Sequence, residues 1–168
     1  MQTLNELISH SILAHHAYTR ESLVQIRGMI NSPEMQGEVI SESLRECIAA
    51  LEQDLLPHLI KEEQILFPYI IKLERNPRQT YDPHFGTIDN PIRVLGNEHN
   101  SVIKLLEKLR ELTSSYQTDS EDQTVLSQLY TALGELDRDL VTHIQMENEV
   151  LFPKARELEI LAITSGKA

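Results

Sequence analysis

Residues 58 to 68 read HLIKEEQILFP and residues 143 to 153 read HIQMENEVLFP, so His58, Glu62, Phe67 and Pro68 recur as His143, Glu147, Phe152 and Pro153, each 85 positions later. In both copies a histidine precedes a glutamate by four residues. On a helix of 3.6 residues per turn that spacing sets imidazole and carboxylate on one face, one turn apart. The rest of the face is apolar: Leu51, Leu55, Ile65, Leu66 and Tyr69 in the first copy, Leu136, Leu140, Val150 and Leu151 in the second. The polar pair therefore points into a core. There it costs several kcal/mol unless each group is paired or binds a metal.

Three further histidines bear on this chemistry. His99 is central on a third apolar stripe, and a pseudo-twofold that equates the two repeat helices asks for its counterpart on the first helix. That helix offers His15 and His16, which straddle its apolar stripe, so the helical wheel does not choose between them. The repeat favours His16, which precedes His58 by 42 residues as His99 precedes His143 by 44. Four histidines and two glutamates then converge in one core. Imidazole with carboxylate suits iron, zinc or manganese, and two carboxylates related by a twofold can each bridge two metals. The reading is a dinuclear centre with metal ligands His16, His58, Glu62, His99, His143 and Glu147, each metal holding two histidines and sharing both glutamates.

Other polar residues are read as peripheral. Asp54 and Asp139 each precede a repeat histidine by four residues, and each either orients that histidine through its second ring nitrogen or is a solvated acid. Glu98, beside His99, is read as facing water, His10 as a surface or edge histidine, and His84 as a solvated loop residue.

The elements that must position these groups follow from the apolar period. Leu4, Ile8, Ile12, Leu23, Ile26 and Ile30 predict a helix over about 2–31, ended by Asn31-Ser32-Pro33. A second helix is predicted over about 41–73 with a vague start near Gly37, a third over about 89–113, and a fourth over about 121–159. Pro57 and Pro68 lie inside the second helix and each removes a backbone donor, so kinks are expected, the one at Pro68 repeating at Pro153. Residues 75–91 read as a long surface connection, Ser114 to Glu121 as a polar linker, and the terminal TSGKA as a fraying end. The fold class is all-α: an up-down-up-down four-helix bundle, with residues 1–168 forming a single domain.

Composition narrows the partners. A net charge of −11 and a pI near 5.0 lack the basic stripe that nucleic acid or an anionic membrane requires. No apolar run approaches twenty residues and the start, MQTLNELISHS, lacks the features of a signal peptide, so a cytoplasmic protein is expected. The lone Cys47 reads as a small residue at the core edge.

The sequence resembles the hemerythrin-like domain, a di-iron four-helix bundle, over essentially the whole chain, and within it the ScdA/RIC family, named for the repair of iron centres. The resemblance rests on AHHAYTRESL around His16, HLIKEEQILFP, NEHNSV around His99 and HIQMENEVLFP. It implies two iron ions (Fe2+/Fe3+) joined by an oxo or hydroxo bridge, with His16, His58, His99 and His143 as terminal ligands and Glu62 and Glu147 as bridges. It also implies a role in nitrosative or oxidative stress, handling nitric oxide or peroxide or supplying iron to an iron–sulfur protein. The alternative is reversible binding or sensing of O2. Oxygen-carrying hemerythrins use a further histidine one turn from the counterpart of His99, where this chain has Leu95 and Ile103. Members of the repair family usually also carry a short N-terminal domain with paired cysteines, whereas this sequence starts directly with its first helix.

Overall fold

The computed structural model describes residues 3–35, 40–79, 81–117 and 124–165. The expected vague helix start near Gly37, residues 118–121 of the polar linker and the last three residues of the expected fraying end lie outside them. The described residues form four long antiparallel helices: α1 (residues 4–30), α2 (residues 42–75), α3 (Asp89–Leu112) and α4 (residues 125–165). No strand occurs among the described residues. This is the up-down-up-down bundle that the apolar periods predict. α1 packs along α4 and α2 along α3.

The helix starts carry ordinary capping chemistry. Thr3 and Glu6 form a capping box, and Glu74 from the far end of α2 accepts from the backbone N–H groups of Leu4 and Asn5 at 2.7 and 2.9 Å. Ser41 and Thr124 cap α2 and α4. Ile88, which precedes α3, donates its N–H to the buried carboxylate of Glu159, which also accepts from the Tyr69 hydroxyl at 2.8 Å. The connection between α2 and α3 is thereby tied to α4.

The core is divided. One apolar cluster takes Leu23 and Ile26 from α1, Leu44 to Leu55 from α2, Val102 to Leu109 from α3 and Leu129 to Ile144 from α4. The other takes Leu4 to Ile8, Leu66 to Leu73, Ile92 and Leu95, and Leu151 to Ala162. On α1, α2 and α3 the residues between the two clusters include a buried histidine, His16, His58 and His99, while on α4 the buried His143 sits at the end of the first cluster and the buried Glu147 in the gap. Four gaps at one level make a polar layer clamped between two apolar plugs.

Three helices widen as they cross that layer. A π turn replaces the α turn at Ser11–His16 in α1, Glu62–Leu66 in α2 and Glu147–Leu151 in α4, while α3 stays regular. Such turns recur at functional sites because the inserted residue re-aims side chains without ending the helix. They also answer the expectation at the repeated prolines. Phe67 and Phe152 donate to the carbonyls of Glu62 and Glu147, five residues back, and Pro68 and Pro153 follow at once. The irregularity that repeats is thus a widened turn, with helix on both sides of it.

Candidate metal centre

His16 Nε2 lies 3.3 Å from Glu62 Oε2, and His58 Nε2 lies 3.3 Å from Glu62 Oε1. His143 Nε2 lies 2.9 Å from Glu147 Oε1, and His99 Nε2 lies 3.3 Å from Glu147 Oε2. Each carboxylate thus reaches one histidine with one oxygen and a second with the other. The six residues fall into two groups with mutually close donor atoms, His16–Glu62–His143–Glu147 and His58–Glu62–His99–Glu147, each compact enough to hold a metal ion. Both glutamates belong to both groups. All six residues are at most 2% exposed, which excludes solvation as the way their polarity is satisfied.

The protons on the rings show what the layer lacks. His16 Nδ1 is 2.7 Å from the Glu63 carboxylate, His58 Nδ1 is 3.0 Å from the Glu98 carboxylate, and His99 Nδ1 is 3.0 Å from the side-chain Oδ1 of Asn148. Those oxygens accept, so each Nδ1 carries a hydrogen, which leaves Nε2 as the atom each ring offers inward to a cation. Burial alone would raise Glu63, yet its hydrogen bonds from His16 and Arg20 hold it below the ordinary carboxylate range. Glu98 is held down against burial in the same way, by Lys61 and His58. Inside the layer Glu62 Oε1, Glu62 Oε2 and Glu147 Oε2 are buried without a hydrogen-bond partner. Lone pairs facing lone pairs need a cation, and this donor set fits one.

Without a cation the two glutamates part company. Burial, and then the charge of Glu147, pushes Glu62 up to about 8. Burial would raise Glu147 as well, but when protons on the Nε2 atoms of His143 and His99 take the place of a cation, the charge and hydrogen bond of His143 and the hydrogen bond of His99 outweigh burial and hold this carboxyl well below its usual range. One proton-bearing and one ionised carboxyl is the arrangement that limits repulsion between buried like charges.

The repeated phenylalanines support the rings. Phe67 stacks on His16 with centroids 5.6 Å apart, and Phe152 stacks on His99 at 5.8 Å. Of the two adjacent α1 histidines the structure brings His16 into the donor groups. His15 stands beside them, its ring parallel to His143 at 5.2 Å and its Nδ1 2.8 Å from Asp139. Asp139 therefore serves His15 rather than His143, and Asp54 is exposed. Glu98, expected to face water, instead holds His58. His10 and His84 are exposed, while Cys47 is buried.

Glu63, Asn148 and Ser11 were not anticipated. The repeat carried a signal for the first two, since Asn148 follows Glu147 as Glu63 follows Glu62, and each accepts from a histidine of the preceding helix. Ser11 carried none. It enters the layer through the π turn of α1, with its hydroxyl oxygen 3.2 Å from His16 Nε2, 3.1 Å from His143 Nε2 and 3.3 Å from Glu147 Oε1.

Comparison with known proteins agrees with this geometry. Residues 7–155 match the family model described as Hemerythrin HHE cation binding domain. The chain is 32% identical over 155 residues to the iron-sulfur cluster repair protein YtfE of Escherichia coli O157:H7. It is 30% identical to the protein of that name in Enterobacter sp. (strain 638) and 31% identical to that in Citrobacter koseri, again over 155 residues. These matches cover 90% of this chain and 66% of each relative, so the chain spans just under two thirds of their length. Among the described residues no helix is long and apolar enough to cross a membrane.

Proposed function

The chain belongs to the hemerythrin HHE cation-binding family, and from that membership and the geometry above we propose that it is a non-haem di-iron protein acting in nitrosative or oxidative stress. His16 and His143 would hold one iron, His58 and His99 the other, and Glu62 and Glu147 would be shared by both. The observation that carries this reading is the pair of four-residue donor groups with both glutamates in common. A hemerythrin domain implies iron. The number of ions, two, rests on that sharing.

When bound, the iron pair would supply electron transfer and affinity for a diatomic ligand or peroxide. The protein's part is to hold donors in place and keep water out. Glu63, Glu98 and Asn148 fix the tautomers of His16, His58 and His99, so that these three Nε2 atoms stay lone-pair donors. The two apolar clusters close the layer above and below. Leu95 and Ile103, one turn either side of His99, add no nitrogen donor, which leaves coordination positions for a small molecule.

The name of the relatives supports the physiological part of the proposal, iron supply to a damaged iron–sulfur protein, which would be the macromolecular partner. A cytoplasmic setting belongs to the same proposal: it keeps Cys47 reduced and makes damaged clusters accessible. The four helices would act as one domain.

The test is repair itself. Iron-loaded protein should restore the activity of a nitric-oxide-damaged iron–sulfur enzyme, while metal-free protein and the Glu62→Leu variant should not. Equal restoration by free ferrous salt at the same iron concentration would remove the repair assignment, and a protein purified with zinc alone would remove the di-iron one.

A further inference from the structure

The pseudo-twofold that relates α1 to α3 breaks at one buried position. On α3 the residue one turn ahead of His99 is Leu95, part of the apolar plug. On α1 the turn ahead of His16 is a π turn, so its counterpart is Ser11, five residues back. In an α-helix residues five apart diverge by roughly 140° about the axis. The widened turn instead brings the Ser11 hydroxyl within 3.3 Å of His16 Nε2, His143 Nε2 and Glu147 Oε1. All three belong to one donor group. The other group has a leucine at the matching position.

Ser11 is fully buried. Its hydroxyl has a single proton, and the His16 and Glu147 atoms facing it are acceptors, His16 because its own proton sits on Nδ1 toward Glu63. Once those lone pairs are occupied by a cation, the Ser11 proton is left to point at Glu147 or at whatever small molecule enters that half of the centre. A hydroxyl buried in a low-dielectric layer makes a strong bond of this kind, and an unmet one is costly.

We propose that Ser11 is a hydrogen-bond donor to a small ligand, a diatomic or a peroxide, bound in the His16–His143 half of the centre, and that it makes the two halves chemically inequivalent. The proposal rests on the di-iron reading of the preceding section. In the Ser11 half a ligand that gains negative charge is stabilised by a donor. In the Leu95 half it is not.

The experiment uses nitric oxide as the probe and infrared spectroscopy of its stretching vibration on reduced, iron-loaded protein, in H2O and in D2O. Iron is counted first, which separates failure of the di-iron reading from failure of this proposal: fewer than two irons in the wild type overturns both. With two irons, the wild type should show two N–O bands, one of which moves in D2O. In Ser11→Ala, still holding two irons, that band should shift and lose its solvent-isotope response while its partner stays put. Wild-type bands that both ignore D2O overturn the proposal without recourse to the variant. So does a Ser11→Ala protein with an unchanged spectrum, and so does one that cannot retain iron, which would make Ser11 a packing residue.

Discussion

His58 Nε2 faces His99 Nε2 at 3.1 Å, while the opposite nitrogen of each ring is committed, to Glu98 and to Asn148 at 3.0 Å each. Two lone pairs at that separation repel unless a cation lies within reach of both. The outer acceptors thus set the inner chemistry, and removing one should release its ring to rotate or change tautomer. Glu98→Ala should lower iron affinity about 10–100-fold, the usual cost of losing such a partner. Competition against a chromophoric chelator measures it, and an unchanged affinity would return Glu98 to the water-facing role that the sequence suggested.

The two glutamates should differ in metal-free protein. Glu62 is raised to about 8, so the folded chain keeps a proton that the unfolded chain has lost. Stability from that group is complete below the ordinary carboxylate range and is lost as pH rises through about 8. Metal-free protein should therefore melt at lower temperature as pH rises from about 5 to about 8.5. Glu62→Leu should flatten this slope and stabilise the metal-free fold at high pH by about 1–4 kcal/mol, the gain seen when buried charge gives way to apolar packing. Glu147→Leu should destabilise it, because His143 and His99 lose the carboxylate that faces them. Melting curves of both variants decide the matter, and equal behaviour would contradict the split.

Substituting the adjacent histidines of α1 should separate them. His16→Ala should reduce iron to one per chain or fewer. His15→Ala should keep the full complement, since His15 reaches Asp139 and the face of His143 rather than the donor groups. Iron analysis of the two purified variants is the check, and iron loss in His15→Ala alone would reverse the assignment.

Much of this was legible from residue type and spacing. The apolar periods give four helices, and the repeated histidine, glutamate, phenylalanine and proline give two helices that contribute alike. The choice between His15 and His16 was not legible on a helical wheel, for a physical reason. The stripe from Ile8 to Ile26 runs through the π turn at Ser11–His16, and one inserted residue rotates everything beyond it by roughly 100° relative to an ideal α-helix. The same turn hid Ser11. Glu98 was misread because its neighbour His99 faces inward, whereas Glu98 reaches sideways to His58 and Lys61 on α2, a contact between helices that no single-helix pattern contains.

Oxygen should also discriminate. With Leu95 and Ile103 where a further histidine would stand, neither position of the proposed iron pair would be closed by protein donors. Reduced protein should bind nitric oxide and be oxidised in air without a lasting oxygen complex. Absorption spectra during aeration and evacuation test this. An oxygen complex that survives for hours and is released under vacuum would favour the reversible carrier, and Leu95→His or Ile103→His is where such behaviour should be easier to create.

Whether one chain holds two irons between Glu62 and Glu147 is decided by Mössbauer spectroscopy of iron-57-loaded, oxidised protein in an applied field, with iron and protein counted on the same sample. Two irons per chain should appear in a coupled pair with a diamagnetic ground state, lost together in Glu62→Leu. One iron per chain, or two that behave as isolated paramagnetic ions, would contradict the shared pair.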